Sequence, residues 1–125
     1  MIDHLKIEVS DFDASKAFYK AALTALGFRT REFASGPAKH RSLGFSGESL
    51  EFYFVEGKAT RPAIHVAFRV SDRAKVRAFY DAAIKAGGRS NGVPELYTQY
   101  HADYYAAYVF DPDGNNVEAV CHERE

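Results

Sequence analysis

HLKIEVSDFDASKAFYKAALTALG, residues 4–27, and HVAFRVSDRAKVRAFYDAAIKAGG, residues 65–88, are one passage written twice. Laid over each other at an offset of 61 positions with no gap, His4 meets His65 and Val9-Ser10-Asp11 meets Val70-Ser71-Asp72. Ala17-Phe18-Tyr19 then meets Ala78-Phe79-Tyr80, and Gly27 meets Gly88. A repeat on this scale marks a duplicated structural unit, and it has to be found before any single element is assigned.

Each copy reads as strand, turn, helix. Leu5, Ile7 and Val9 alternate with His4, Lys6 and Glu8, and Val66, Phe68 and Val70 alternate with His65, Ala67 and Arg69. This period of two gives a strand one apolar and one polar face. Apolar residues then recur at helical spacing: Ala14, Phe18, Ala22 and Ala25, and in the second copy Val76, Phe79, Ala83 and Ala86. Asp11 or Asp13, and Ser71 or Asp72, are suitable N-caps. Gly27 and Gly87-Gly88 supply the stops.

Three strands are expected after each helix. In the first half they fall near 28–34, 40–45 and 49–55. In the second half a short strand near Gly88 leads into a long loop, SNGVPELYTQYHAD, followed by strands near 104–111 and 115–122 around the DPDGN turn. VEGKATRPA, with Gly57 and Pro62, separates the halves. The expectation is an α+β domain of two tandem βαβββ modules, about residues 1–57 and about 63–122. They form a cupped, barrel-like mixed sheet with helices on the outer face.

At 125 residues the chain has room for one ordinary core. With 46% hydrophobic and 26% charged residues and a net charge of −1, it reads as a soluble domain. No basic run suggests nucleic acid, and no apolar stretch suggests a membrane span. The single cysteine, Cys121, precludes an intrachain disulfide or a Cys-based zinc cluster and is compatible with a reducing compartment. Its strand parity places it on the apolar side. No export signal is visible at the N-terminus, so a cytoplasmic location is expected.

YVFDPDGNNVEAV, residues 108–120, carries one acid, Glu118, in an otherwise apolar strand. The repeat sets His4 and His65 in equivalent strands on the faces turned away from the helices. Leu50-Glu51-Phe52 matches Val117-Glu118-Ala119 at an offset of 67, which adds a second acid. Two imidazoles and one or two carboxylates suit zinc, nickel, iron, manganese or cobalt. Two His and one carboxylate leave coordination positions open for substrate, as catalysis requires. Glu51 is either a fourth ligand, a base, or a solvent-facing acid.

Tyr97, Tyr100, Tyr104, Tyr105 and Tyr108 crowd the segment before the turn, with His101 among them. Most are expected in aromatic packing. The face taken by Tyr108 is not settled by pattern. If it looks inward, its hydroxyl reaches a substrate oxygen. His101 belongs to a lid of the pocket or to the surface, and His40 and His122 have no evident partner.

With these residues in place, the chain resembles the small single-domain bacterial members of the vicinal oxygen chelate superfamily. These include glyoxalase I, extradiol dioxygenases, fosfomycin-resistance transferases and bleomycin-binding proteins. HLKIEVSDFDASKAFYKAAL, IHVAFRVSD and YVFDPDGNNVEAV carry the resemblance across nearly the whole chain. It implies His4, His65 and Glu118 as metal ligands and a glyoxalase-like fourth ligand at Glu51. It also implies an active-site tyrosine at Tyr108, as in ring-cleaving relatives, and modules commonly paired between chains in a homodimer. The expected function is a divalent-metal enzyme of glyoxalase (lyase) or dioxygenase type, gripping a small oxygen-rich molecule through two neighbouring oxygens. The alternative is a non-catalytic drug- or metabolite-binding protein of the bleomycin-resistance type. Since one fold hosts several reactions in this superfamily, the resemblance does not select among them.

Overall fold

The computed structural model describes residues 1–32 and 40–125. The first half contains β1 (His4–Val9), α1 (Phe12–Ala25), β2 (Arg29–Glu32), β3 (Ser42–Ser46) and β4 (Glu51–Glu56). The second contains β5 (His65–Val70), α2 (Arg73–Lys85), β6 (Arg89–Leu96), β7 (Tyr105–Phe110) and β8 (Asn116–Cys121). The duplicated βαβββ unit is therefore present. The expected end of the strand over 28–34 lies outside the described residues. Among those described, no helix is long and apolar enough to cross a membrane.

The helices start and stop for the same local reasons in both copies. Asp11 accepts a hydrogen bond from the Ala14 amide at 3.1 Å, and Asp72 accepts one from the Lys75 amide at 2.8 Å. Each satisfies an amide that the first helical turn leaves without a partner. At the other end Gly27 and Gly87 take φ of 96° and 100°, a conformation that costs glycine little. Each sits in a paired cap: Gly27 to Thr24 and Phe28 to Leu23, and likewise Gly87 to Ile84 and Gly88 to Ala83. The second helix is one residue shorter than the first, 13 against 14, so Gly27 corresponds to Gly87. The ungapped repeat had matched it to Gly88.

The strands form two four-stranded sheets, ordered β1-β4-β3-β2 and β5-β8-β7-β6. In each, the first strand lies parallel to the last, and the remaining pairs are antiparallel. The sheets do not close into the expected barrel. β1 and β5 each stand at the edge of their own sheet, with no ladder joining one to the other.

Among the described residues, the larger of two buried apolar clusters runs through both halves. α1 and α2 pack together, and Tyr19 stacks its ring 4.9 Å from Phe52 of β4. Phe68 of β5 meets Phe28 and Phe52 edge-on at 5.4 and 5.8 Å. Phe18, Tyr19, Phe52, Phe54, Phe79 and Val117 are fully buried, and side chains of this size contribute about 1.5–3 kcal/mol each. Cys121 is buried on the apolar side, as its parity predicts.

The segment read as a loop after Gly88 is in fact the eight-residue strand β6. Its pairing with β7 shifts register between Ser90 and Gly92 and again between Gly92 and Glu95. These irregularities break the alternation by which a strand is read. Pro94 is tolerated because β6 is an edge strand, with one side needing no ladder bonds.

Candidate functional site

Glu118 is the only acidic side chain in the buried core of the described residues besides Asp111, at 1% exposure. A carboxylate taken out of water is costly unless hydrogen-bonded on both oxygens. Here His65 Nε2 lies 2.8 Å from Oε1, and the Tyr104 hydroxyl donates to Oε2. Since a carboxylate accepts, the imidazole hydrogen sits on Nε2. Tyr108 stands opposite Glu118 across the β7–β8 ladder, with its ring 6.2 Å from that of His65. It is buried on the same face as Glu118, packed with Ala106 and Val120.

Burial and the bond to Glu118 push the Tyr104 phenol up to about 12. Tyr108 is raised further, first by burial, then by the Glu118 charge and by its polar contact with the Tyr104 hydroxyl. Both remain protonated donors at neutral pH. Near them, the carboxamide oxygen of Asn116, opposite His65 in register, is buried without a hydrogen-bond partner. An orphaned acceptor of this kind leaves room for a ligand-borne donor.

His4 and Glu51 occupy the other sheet. They are opposite each other in the β1–β4 ladder, on the exposed face. His4 pairs with Asp3 at 2.7 Å, and Glu51 pairs with Arg31 at 2.5 Å. The structure thus brings His65, Glu118 and Tyr108 together and sets His4 beside Glu51 in the other half. Among the described residues, no three His, Cys, Asp or Glu side chains converge as a metal site within one chain requires. A cleft of about 410 Å3 between the halves is lined by Phe28, Leu50, Phe68, Arg69 and Lys75, and includes none of the predicted ligands.

The repeat also slips at its acids. His4 is opposite Glu51, but His65 is opposite Asn116, and Glu118 is opposite Ala67. By register, Glu51 corresponds to Asn116, and the counterpart of Glu118 is Tyr53, opposite Lys6. The ring of Tyr53 lies 5.7 Å from that of His4.

Three features escaped the sequence reading. Tyr104, assigned to aromatic packing, is half-buried and holds Glu118; no spacing rule links residues 14 apart in a loop and a strand. His122 has a partner after all: His101 lies 2.8 Å away, Nε2 to Nδ1. Lastly, the DPDGN turn is a structural device. Asp111 accepts from the amides of Asp113 and Asn115 and from the Asn115 side chain. Asn115 in turn accepts from the Ile64 amide at 2.9 Å. An Asp followed by Asn within a Gly turn was the available signal.

Comparison with known proteins agrees with this architecture. The Glyoxalase/Bleomycin resistance protein/Dioxygenase superfamily profile matches residues 1–119. The chain belongs to that superfamily. Among solved structures it is similar to a glyoxalase/bleomycin resistance protein from Albidiferax ferrireducens T118. That pair shares 26% identity over 97% of this chain and 98% of the other, with a TM-score of 0.77. The fold is also shared with a glyoxalase/bleomycin resistance protein/dioxygenase family enzyme from Burkholderia phytofirmans PsJN, at 22% identity, coverage of 97% and 98%, and TM-score 0.71. A fosfomycin resistance protein, FosX, from Mesorhizobium loti has it too, at 19% identity, coverage of 97% and 91%, and TM-score 0.68. No curated protein matches the sequence.

Proposed function

We propose that this chain is a divalent-metal-dependent enzyme of the glyoxalase/dioxygenase type, working as a cytoplasmic homodimer on a small oxygen-rich molecule. The observation that carries the reading is the contact between His65 and buried Glu118 at 2.8 Å, with the unpartnered Asn116 oxygen beside it. A nitrogen and a carboxylate oxygen so close together are the donor types that zinc, nickel, iron, manganese and cobalt accept.

His65 and Glu118 of one chain would hold the ion together with His4 of a second. The reasons are the open edges of β1 and β5 and the separation of His4 from the His65–Glu118 pair within one chain. The register slip and the Arg31 ion pair argue against Glu51 as a fourth ligand. Two His and one carboxylate then leave positions open for both oxygens of the substrate. The bound ion would supply Lewis-acid polarisation of those oxygens. Tyr108 walls the site and would turn its protonated hydroxyl from Tyr104 to the substrate, while Tyr97, at 5.1 Å from the Tyr108 ring, extends the aromatic wall. Lyase and ring-cleaving chemistry both fit this arrangement, and the triad without Glu51 favours the second.

A non-catalytic binding protein is the other reading. It is favoured by the fact that both Glu118 oxygens are already satisfied by His65 and Tyr104. Elemental analysis of protein purified without added ions separates the two. The enzyme reading requires a stoichiometric divalent ion that disappears in His65→Ala. Metal-free wild type whose small-molecule binding survives His65→Ala would establish sequestration instead.

A further inference from the structure

We propose that Tyr104 is the positioning residue of the site: it fixes the Glu118 carboxylate so that Oε1 stays on the side of His65. The inference rests on the metal-site reading for its functional consequence, but the orienting role is a property of the chain alone.

A glutamate side chain has a freely turning terminal carboxylate. At 1% exposure no water competes for Glu118, so its orientation is set by the donors that surround it. Tyr104 takes Oε2, leaving Oε1 as the oxygen that meets His65 at 2.8 Å. Tyr104 is itself held rigidly. Its ring packs against Tyr100 at 4.8 Å, His101 at 5.4 Å and His122 at 5.3 Å. Its carbonyl accepts from the Tyr97 amide at 2.8 Å, and its amide donates to the His101 carbonyl at 3.2 Å. The hydroxyl is therefore aimed from a braced turn just before the start of β7. Groups that orient a ligating carboxylate in this way typically contribute 10- to 100-fold to metal affinity.

The test uses the full-length protein and two independent readouts. In the metal-free state, imidazole 15N spectra report the tautomer of His65, which the Glu118 contact holds with hydrogen on Nε2. Tyr104→Phe is expected to abolish that single-tautomer signature, and an unchanged signature overturns the proposal. Titration with Co2+ provides the second arm: Tyr104→Phe is expected to bind about 10- to 100-fold more weakly, with an altered visible spectrum. Equal affinity and an identical spectrum contradict the proposal. If wild type fails to bind Co2+, the metal-site reading falls, and the tautomer experiment still decides the role of Tyr104. A wild-type measurement guards against a variant that does not fold. The Tyr104 hydroxyl hydrogen should be protected from exchange and visible downfield, and its absence there also overturns the proposal.

Discussion

The hydroxyl of Tyr19, in the middle of α1, donates a hydrogen bond to Oδ2 of Asp111, in the turn between β7 and β8. Both residues are buried, at 0% and 3% exposure, and they lie 92 positions apart. The contact fastens the first module's helix to the second module's last turn. Ser10 reinforces it from the β1–α1 junction, its amide donating to Asp113 at 3.1 Å.

Tyr19→Phe keeps the packed ring and removes one donor from a buried carboxylate. Hydrogen bonds to charged groups contribute about 1.5–3 kcal/mol. Urea unfolding should show a loss of about that size, with an unchanged dependence on denaturant concentration. A loss below about 0.5 kcal/mol would mean that the Asn115 side chain alone satisfies Oδ2 of Asp111.

Gly92 allows Tyr97 and Tyr108 to approach β6 closely. A Cβ there would sit 2.6 Å from the Tyr97 hydroxyl and 2.7 Å from the Tyr108 ring. Gly92→Ala must displace both, and overpacking of this kind typically costs about 1–3 kcal/mol. The expected result is a lower urea midpoint together with changed near-ultraviolet tyrosine dichroism. An unaltered tyrosine signal would show that the two rings do not rest on this strand.

The contact between His101 and His122 gives the fold a pH dependence of definite sign. The His101 Nδ1 accepts from the Asp103 amide at 3.1 Å, so its hydrogen is on Nε2 and points to His122 Nδ1. His122 is held below its ordinary value, first by burial and then by the charges of Arg69 and His101, with Glu118 and Glu123 opposing. The unfolded chain therefore binds the proton more readily, and the stabilisation present above about pH 6.5 is lost as the pH falls below it. Between pH 7.5 and 5.5 wild type should lose more stability than His122→Phe. Parallel losses in the two proteins would remove His122 as the cause.

The helices and the alternating strands were legible in the sequence because their signals are local. Asp11 and Asp72, each one of two candidates read, cap their helices, and Cys121 points where its parity places it. β6 was hidden because Gly92 and Pro94 sit in a strand whose register shifts twice. The offset between Glu51 and Glu118 was hidden for another reason. A slip of two residues leaves every side chain on its original face, so alternation cannot detect it. Tyr104 and the His101–His122 pair arise from a folded turn, for which periodicity has no vocabulary.

The central claim is that His4 of one chain and the His65–Glu118 pair of another share one ion. Mixing His4→Ala chains with His65→Ala chains, with unfolding and joint refolding, tests it directly. Each parent should bind no metal. In a mixed dimer one site carries both substitutions and the other carries neither, so about one intact site should return per mixed dimer, read as recovered divalent metal after desalting. Recovery of none, from a wild type that does bind metal, would contradict a site built between chains.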